Sequence, residues 1–193
     1  MPVAFTQEKQ YMIIRQLQEI ALTLAKDIPV RKIKVEQLTA AAGISKGAFY
    51  KFYPSKEALF YELLRQLHKD IYSPALATLT DESVQDPADA LCKAILECFE
   101  ALNTSDYKRF WLEDSLEIMK AVSEEEKLAQ YTAETELFRS FLNHFGTLAV
   151  SEELAFNALR ALIGTVYNRK SLEPNYETIL RWMAQGVCSH IFL

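Results

Sequence analysis

Apolar residues recur at helical spacing from the start of the chain. Over residues 7–26 this spacing predicts one amphipathic helix, whose apolar stripe is Ile13, Ile14, Leu17, Ile20, Ala21 and Leu24. Thr6 can cap its first turn through the side-chain oxygen. Asp27-Ile28-Pro29 ends the pattern, because the residue before a proline is pushed out of helical geometry.

Residues 33–64 predict two short helices joined by a tight turn, followed by the start of a long helix. Val35, Leu38 and Ala42 share one face at helical spacing. Gly43 comes directly after them, where helices often end in a left-handed residue that glycine adopts at little cost. Ser45 can cap the second short helix.

The second short helix has two unlike faces. At 100° per residue, Phe49, Phe52 and Tyr53 cluster on one side. The opposite side carries Lys46, Gly47, Tyr50 and Lys51. The apolar side can pack on the preceding helix, whereas a basic, hydroxyl-bearing face after a glycine turn suits the major groove of DNA.

The long helix is predicted over residues 55–72. Pro54 ends the preceding helix, Ser55 can cap the new one, and Pro74 is expected to end it. Its buried stripe is Leu59, Phe60, Leu63, Leu64, Leu67 and Ile71. Lys56 lies at its N-terminus, where the side chain and the free amides could together hold a phosphate.

Residues 76–86 are polar and are interpreted as a loop. Further helices are then predicted to begin near Pro87, Ser105, Ser123, Ser151 and Pro174, without any strand-like alternation between them. The sequence therefore predicts an all-α fold of about nine helices, with no repeat or flexible linker.

Charge is divided unevenly along the chain. Residues 1–60 hold nine Lys and Arg against five Asp and Glu, a net charge of +4, whereas the remainder holds twelve against twenty-one, a net charge of −9. A basic N-terminal third on an acidic protein indicates a polyanionic partner for that third.

The composition fits a cytoplasmic protein with a sizeable core. Half of the 193 residues are apolar, but no run of 18 or more apolar residues occurs, and the first ten residues do not resemble a signal peptide. Cys92, Cys98 and Cys188 have no metal-binding spacing, so free thiols are expected. Neither a metal nor a cofactor is predicted.

The run from Ala41 to Glu57 resembles the helix-turn-helix of the tetracycline-repressor (TetR) family of one-component regulators. The matching residues are Ala41, Ala42, Gly43, Ile44, Ser45, Lys46, Gly47, Ala48, Phe49, Tyr50, Pro54, Ser55, Lys56 and Glu57. The resemblance implies a DNA-binding domain over residues 1–58 and a helical effector-binding and dimerisation domain over residues 59–193, linked by the fourth helix. DNA contacts are expected from Lys34, Ser45, Lys46, Gly47, Ala48, Tyr50, Lys51 and Lys56.

Two positions depart from the family pattern. Lys34 stands where the family usually has a threonine or serine that caps the second helix, and a lysine side chain cannot accept the capping hydrogen bond. Tyr53 stands where the family usually has a buried phenylalanine. Its hydroxyl must find a partner, or this end of the helix-turn-helix lies differently.

An effector pocket is expected among the middle helices. Its candidate residues are His68, Phe99, Tyr107, Phe110, Trp111, Asp114, Tyr131, Phe138 and Tyr167. Acids among aromatic residues could orient a cationic or hydroxylated ligand. The simpler interpretation is favoured for each of them: aromatic stripes are usually core, Asp114 and Glu117 reach solvent, and His68 is partly exposed or hydrogen-bonded.

The last two helices are expected to form a homodimer, as the resemblance implies. The residues assigned to this interface are Ala155, Ala158, Leu159, Leu162, Val166, Ile179, Leu180, Met183 and Val187. A dimer would read a roughly palindromic operator. The alternative is that these stripes close the core of the monomer.

The favoured function is a sequence-specific transcriptional regulator under the control of a small-molecule effector. A repressor is expected, because most members of the family repress. The alternative is a helical protein of the same fold that acts through a protein partner or has lost DNA binding. A small helical enzyme is a remote alternative, because the sequence has no HExxH, GxSxG, CxxC or glycine-rich phosphate loop.

Overall fold

The computed structural model describes residues 6–79, 86–145 and 147–192, apart from the side chains of residues 79, 133, 134, 137, 138, 140, 141 and 143–145. The side chain of the predicted pocket residue Phe138 therefore lies outside the described part of the chain. Most residues of the predicted loop lie outside it as well. Apart from one isolated antiparallel bridge between Leu148 and Phe192, every regular element of the described residues is helical. The predicted all-α fold is confirmed.

Ten α-helices lie in the described residues. Their bounds are α1 Gln7–Asp27, α2 Val35–Ala41, α3 Lys46–Phe52, α4 Lys56–Leu79, α5 Pro87–Thr104, α6 Ser115–Lys120, α7 Glu124–Phe145, α8 Glu152–Gly164, α9 Arg169–Leu172 and α10 Tyr176–Ile191. A 3₁₀ turn at Thr165–Asn168 joins α8 to α9 without a break. These two helices thus form one segment, and the predicted number of about nine is confirmed.

Two helices begin with the side-chain caps that the sequence predicted. The hydroxyl of Ser45 accepts the Ala48 N–H at 3.1 Å, and the hydroxyl of Ser55 accepts the Ala58 N–H at 3.0 Å. Each bond satisfies an amide in the first turn that has no partner inside the helix.

The fourth helix is longer than its proline indicated. Pro74 lies inside α4, which continues to Leu79. A proline removes one helical hydrogen bond, but the buried stripe that includes Ile71 continues past it through Ala75 and Thr78, and all three are less than 9% exposed. Packing of that stripe outweighs the lost bond, so the prediction that Pro74 ends the helix is wrong.

The chain packs as two compact units. The first contains residues 1–68 and 105–123, and the second contains residues 69–104 and 124–193. The boundary between them falls inside α4. The functional division into residues 1–58 and 59–193 remains a prediction, but residues 105–123 pack with the N-terminal helices, which the sequence did not indicate.

The core of the first unit explains this assignment. Phe60 of α4 and Phe110 are both fully buried, and their ring centroids lie 6.0 Å apart. Further fully buried side chains in this unit are Leu17, Ile33, Leu38, Phe49, Leu59 and Ile118.

The second unit is built mainly on α5, α8 and α10. Phe99 of α5 and Tyr176 of α10 make an edge-to-face contact with ring centroids 6.4 Å apart. Leu162, Cys188 and Ile191 are fully buried in the same unit. Among the described residues, no helix is both long enough and apolar enough to span a bilayer.

Candidate nucleic-acid interface

A glycine turn sets the angle between α2 and α3. Gly43 has a φ of +63°, the left-handed region that favours glycine. The Ile44 N–H donates to the Thr39 carbonyl at 3.0 Å, which closes the end of α2. The predicted helix, turn and helix are therefore present.

The buried side of α3 is aromatic, as predicted. Phe49 is fully buried and Tyr53 is 6% exposed, and their ring centroids lie 5.9 Å apart. Ala48 is also buried, at 8% exposure. Its methyl group faces the core, so Ala48 is poorly placed for the base contact expected of it.

The other side of α3 faces solvent. We call this surface the α3 face; its residues are Lys46, Gly47, Tyr50 and Lys51, all exposed. The ammonium of Lys46 lies 2.6 Å from the carboxylate of Glu36 on α2. Because both side chains are more than half exposed, this pair is weak and can be exchanged for a contact with a ligand.

Gly47 leaves open space on the α3 face. A Cβ atom added there would meet only the Ser45 hydroxyl, at 3.9 Å, an ordinary contact distance. The fold therefore does not require glycine at this position.

Lys34 begins α2 without capping it through its side chain. Its backbone N–H donates to the side-chain carbonyl of Gln37 at 2.8 Å, and its own side chain is exposed. The Gln37 side chain therefore supplies one of the two hydrogen bonds of a capping box, the one to the backbone of Lys34.

Lys56 is engaged inside the protein rather than exposed for a phosphate. Its ammonium donates to the carbonyls of Val30 and Ile33, each at 2.9 Å, and its side chain is only 15% exposed. A phosphate at the N-terminus of α4 would have to compete with both carbonyls. The expected DNA contact at Lys56 is therefore disfavoured.

The hydroxyl of Tyr53 has partners at the edge of the first unit. It accepts from the Gln18 amide at 3.3 Å, and Gln18 also donates to Glu62 at 3.1 Å. Burial, with the nearby Glu62 carboxylate, raises the pKa of Tyr53 well above its ordinary value. Of the two outcomes expected for this residue, the first is observed.

A guanidinium closes the C-terminal end of α1. Arg109 donates to the carbonyls of Lys26 and Ile28, each at 3.0 Å, and also to that of Ala25. Carbonyls at the end of a helix lack partners within it, and a cation there also complements the helix dipole.

Asp114 completes this arrangement, which we call the Arg109–Asp114 clamp. One carboxylate oxygen pairs with Arg109 at 3.1 Å, and the other accepts the Val30 N–H at 3.1 Å. Phe110–Asp114 is a π-helix. In that geometry residues five apart share a face, whereas in an α-helix they diverge by about 140°. The π-helix therefore allows Arg109 and Asp114 to pair.

The clamp changes the interpretation of Asp114. Its side chain is 6% exposed and is used to hold the segment that leads into α2. Asp114 was expected either to line a ligand pocket or to reach solvent, and it does neither. A sequence signal for the π-helix would have been needed to find this role.

Comparison with known proteins agrees with the helix-turn-helix. Residues 19–63 match the family model of bacterial regulatory proteins of the tetR family, and this span includes all of α2 and α3. Residues 19–63 therefore carry a helix-turn-helix domain of the TetR type, and the fold of the chain is that of TetR-family regulators.

Similar proteins align with most of the chain. The nucleoid occlusion factor SlmA of Glaesserella parasuis serovar 5 (strain SH0165) is 28% identical over 173 residues, which are 87% of this chain and 80% of that protein. The solved structure of NalD, the secondary repressor of the MexAB-OprM multidrug efflux pump in Pseudomonas aeruginosa, has a TM-score of 0.65 at 20% identity, and covers 94% of this chain and 98% of its own.

A further solved structure shares the TetR-family fold. FadR from Bacillus subtilis in complex with stearoyl-CoA has a TM-score of 0.63 at 16% identity, and covers 94% of this chain and 99% of its own. At these identities the solved structures establish the fold alone.

The residues predicted for the effector pocket divide between the two units. The first unit contains His68, Tyr107, Phe110, Trp111 and Asp114, and the second contains Phe99, Tyr131 and Tyr167. Phe110 and Trp111 are core, as the simpler interpretation held, and the His68 ring lies 5.5 Å from that of Trp111. Tyr131 and Tyr167 are 38% and 43% exposed.

A groove of about 810 Å³ lies between α5 and α10 in the second unit. We call it the α5–α10 groove. Leu96, Phe99 and Leu180 are among its apolar lining residues, and Glu97 and Arg181 are among its charged ones. Phe99 is thus the predicted pocket residue that lines this groove.

Most of the stripe assigned to a dimer interface is buried in the single chain. Ala155, Leu159, Leu162, Val166 and Leu180 are each at most 7% exposed. They form part of the core of the second unit, as the alternative described, so a contact with a second copy through these five side chains is disfavoured. The apolar stripe of each helix faces the core of the second unit, as is usual for an amphipathic helix.

Other residues of the two helices remain at the surface. On α10, Met183 is 39% exposed and Trp182 is 67% exposed; on α8, Leu154 is 57% exposed. Ala158, Ile179 and Val187 are half-buried. Sequence reasoning missed Trp182, although its spacing from Ile179 places both on one face of a helix.

Proposed function

We propose that this protein is a sequence-specific, DNA-binding transcriptional regulator, and that the α3 face is what enters the major groove. The observation that carries the proposal is a short helix after a left-handed glycine, with its aromatic side buried and its lysines, tyrosine and bare backbone exposed. Such a helix fits a groove about 12 Å wide.

The residues of the α3 face divide by role. Lys46 and Lys51 can donate to guanine O6 and N7 or to phosphates, and Gly47 allows the backbone to approach the bases. The Tyr50 hydroxyl is assigned to a phosphate. Lys34 and Ser45 lie beside this surface, and Ser45 is already used as the cap of α3.

Repression is the favoured direction. NalD, whose fold is similar, is described as a repressor, and SlmA is described as a nucleoid occlusion factor. A homodimer is part of the proposal, because two α3 faces would read two half-sites of a roughly palindromic operator.

Small-molecule control is proposed at the α5–α10 groove. Solved complexes of FadR with stearoyl-CoA and of SmeT with triclosan are the precedents for ligand binding in this fold. The groove combines an apolar lining with charged side chains, the usual character of a ligand site. Thermal unfolding with stearoyl-CoA and with triclosan as probes tests it. Leu96→Trp, which narrows the groove, should abolish any ligand-induced shift.

The DNA-binding proposal is tested at Gly47. Fluorescence anisotropy with a fragment from the region upstream of the protein's own coding sequence should show tight binding that competitor DNA does not remove. Gly47→Glu should reduce affinity at least about 100-fold, because it adds bulk and negative charge where the backbone meets DNA.

Gly47→Ala is the matched control. Because its Cβ meets no clash, this variant should fold and gain up to about 1 kcal/mol in the free energy of unfolding. If Gly47→Glu binds as the wild type does, the α3 face is not the DNA-binding surface. If no fragment is bound above the level of competitor DNA, the alternative of a protein that acts through a partner replaces the proposal.

A further inference from the structure

Two thiols face each other in the α5–α10 groove. Cys92 comes from α5 and Cys188 from α10, and both line the groove. They are free cysteines whose thiols are hydrogen-bonded to each other. Two thiols that line one groove from two packed helices and interact with each other are candidates for a disulfide.

The two thiols differ in access. Cys92 is 9% exposed and Cys188 is 1% exposed. Arg181, also in the groove, favours the thiolate of Cys92, although burial and Asp89 leave the pKa of Cys92 above its ordinary value. Burial raises the pKa of Cys188 to about 12. Cys92 is therefore the thiol that a small molecule in the groove meets, and Cys188 lies behind it.

We propose that Cys92 and Cys188 are a redox-sensitive pair, which a hydroperoxide in the α5–α10 groove converts into an intrachain disulfide. The sulfur of Cys92 attacks the outer peroxide oxygen, the O–O bond breaks, and Cys92 becomes a sulfenic acid while the hydroperoxide leaves as an alcohol, or as water from hydrogen peroxide. The sulfur of Cys188 then attacks that of Cys92 and releases water. Two thiols are oxidised, one peroxide is reduced, and reduction by another dithiol restores both thiols.

The disulfide would fasten α5 to α10 across the groove. Its formation depends only on the two thiols and the oxidant. Its effect on effector binding rests on the proposed function, because that proposal assigns the effector to the same groove.

Cys98 is an internal control on the same helix as Cys92. It is half-buried and is not among the residues that line the groove. Burial, with the neighbouring Glu97, raises its pKa to about 12, close to that of Cys188. If proximity to the second thiol decides the chemistry, Cys98 stays reduced while the pair reacts.

The experiment is peptide mapping of the full chain after treatment with hydrogen peroxide. Remaining thiols are alkylated under denaturing conditions, and the digest is analysed with and without dithiothreitol. Two of the three thiols should be lost, in a peptide pair that joins Cys92 to Cys188 and separates on reduction, and Cys98 should be fully alkylated. A disulfide through Cys98, a disulfide between chains, or three unchanged thiols would each overturn the proposal.

The order of the two steps is tested with Cys188→Ser. This variant should accumulate a sulfenic acid at Cys92 that dimedone traps, whereas Cys98→Ser should form the disulfide as the wild type does. If dimedone labels Cys98 instead of Cys92, the assignment of the reacting thiol is wrong. The wild-type map decides the proposal even if a serine variant does not fold, and its result is independent of whether the protein binds DNA.

Discussion

The ammonium of Lys56 shows how one side chain can suit two roles. At the start of a helix that follows α3, a lysine is well placed to bind a phosphate. In the structure it reaches back and donates to Val30 and Ile33, which lie in the connection between α1 and α2. The position along the chain indicates the first role, and only the folded connection reveals the second.

Lys56→Met should therefore lower stability more than DNA affinity. The variant keeps the length of the side chain but removes both hydrogen bonds, so the free energy of unfolding should fall by about 1–3 kcal/mol. Urea denaturation followed by circular dichroism measures it. Lys51→Met, on the exposed α3 face, should stay within about 0.5 kcal/mol of the wild type. A Lys56→Met protein with unchanged stability and a smaller salt dependence of DNA binding would restore the phosphate role.

Tyr53 gives the protein a sensitivity to alkaline pH. Burial raises its pKa in the folded state, whereas an unfolded tyrosine ionises near about pH 10. Its contribution to stability is present below that pH and is lost as the pH rises further, because only the unfolded state then releases the proton. Between about pH 9 and about pH 11, Tyr53→Phe should therefore lose less of its free energy of unfolding than the wild type does.

The measurement is urea denaturation at the two pH values, with Tyr50→Phe as control. Tyr50 is 48% exposed on the α3 face, so Tyr50→Phe removes a tyrosine hydroxyl without touching the buried one. Equal pH dependence in Tyr53→Phe and the wild type would show that the Tyr53 hydroxyl is not held in its buried environment.

At the scale of elements, the Arg109–Asp114 clamp connects a π-helix to the end of α1. Its two side chains hydrogen-bond four backbone groups of residues 25–30, namely three carbonyls and one N–H. Residues 25–30 end α1 and begin the connection to α2, so the clamp holds the start of that connection.

Asp114→Asn should weaken this connection. The amide can still accept from Val30, but Arg109 loses its closest carboxylate, and we expect a loss of about 1–3 kcal/mol in the free energy of unfolding. Hydrogen exchange at the Val30 amide should become faster at the same time. Glu113→Gln is the control, because Glu113 lies 3.7 Å from Arg109 and is 45% exposed, so its effect should be within about 0.5 kcal/mol. An Asp114→Asn protein that matches this control would show that the clamp is not what holds the connection.

Elements whose local pattern and packing agree were predictable from the sequence. The two faces of α3, the turn at Gly43 and the cap at Ser45 all follow from short-range rules, and all are present. Pro74 was misjudged, because the apolar stripe of α4 continues past it into packing that a local rule does not contain. The role of Asp114 depends on a contact 84 residues away in the chain.

At the scale of the whole molecule, the surface left on α10 indicates how two copies would pair. Ile179, Trp182, Met183 and Gly186 share one face of the helix, and Trp182 is 67% exposed. Large exposed apolar residues at helical spacing mark interaction sites. The dimer of the proposed function is therefore expected to use this face rather than the buried stripe.

Trp182→Glu should dissociate that dimer. A tryptophan at the centre of an interface commonly contributes 2 kcal/mol or more, so the dissociation constant of the dimer should rise by at least about 30-fold. Analytical ultracentrifugation measures it, and circular dichroism should show an unchanged helical fold. Trp182→Phe is the control and should remain dimeric. A Trp182→Glu protein that stays dimeric would place the interface elsewhere.

Gly47 has a consequence for how such a protein diversifies over generations. A residue that can be replaced without meeting the core is free of the folding constraints that limit its neighbours Ala48 and Phe49. If the α3 face reads DNA as proposed, single substitutions at this position alter which operator is recognised without a clash that would destabilise the fold. Lineages could therefore acquire new target genes through one codon, with no compensating change elsewhere in the chain.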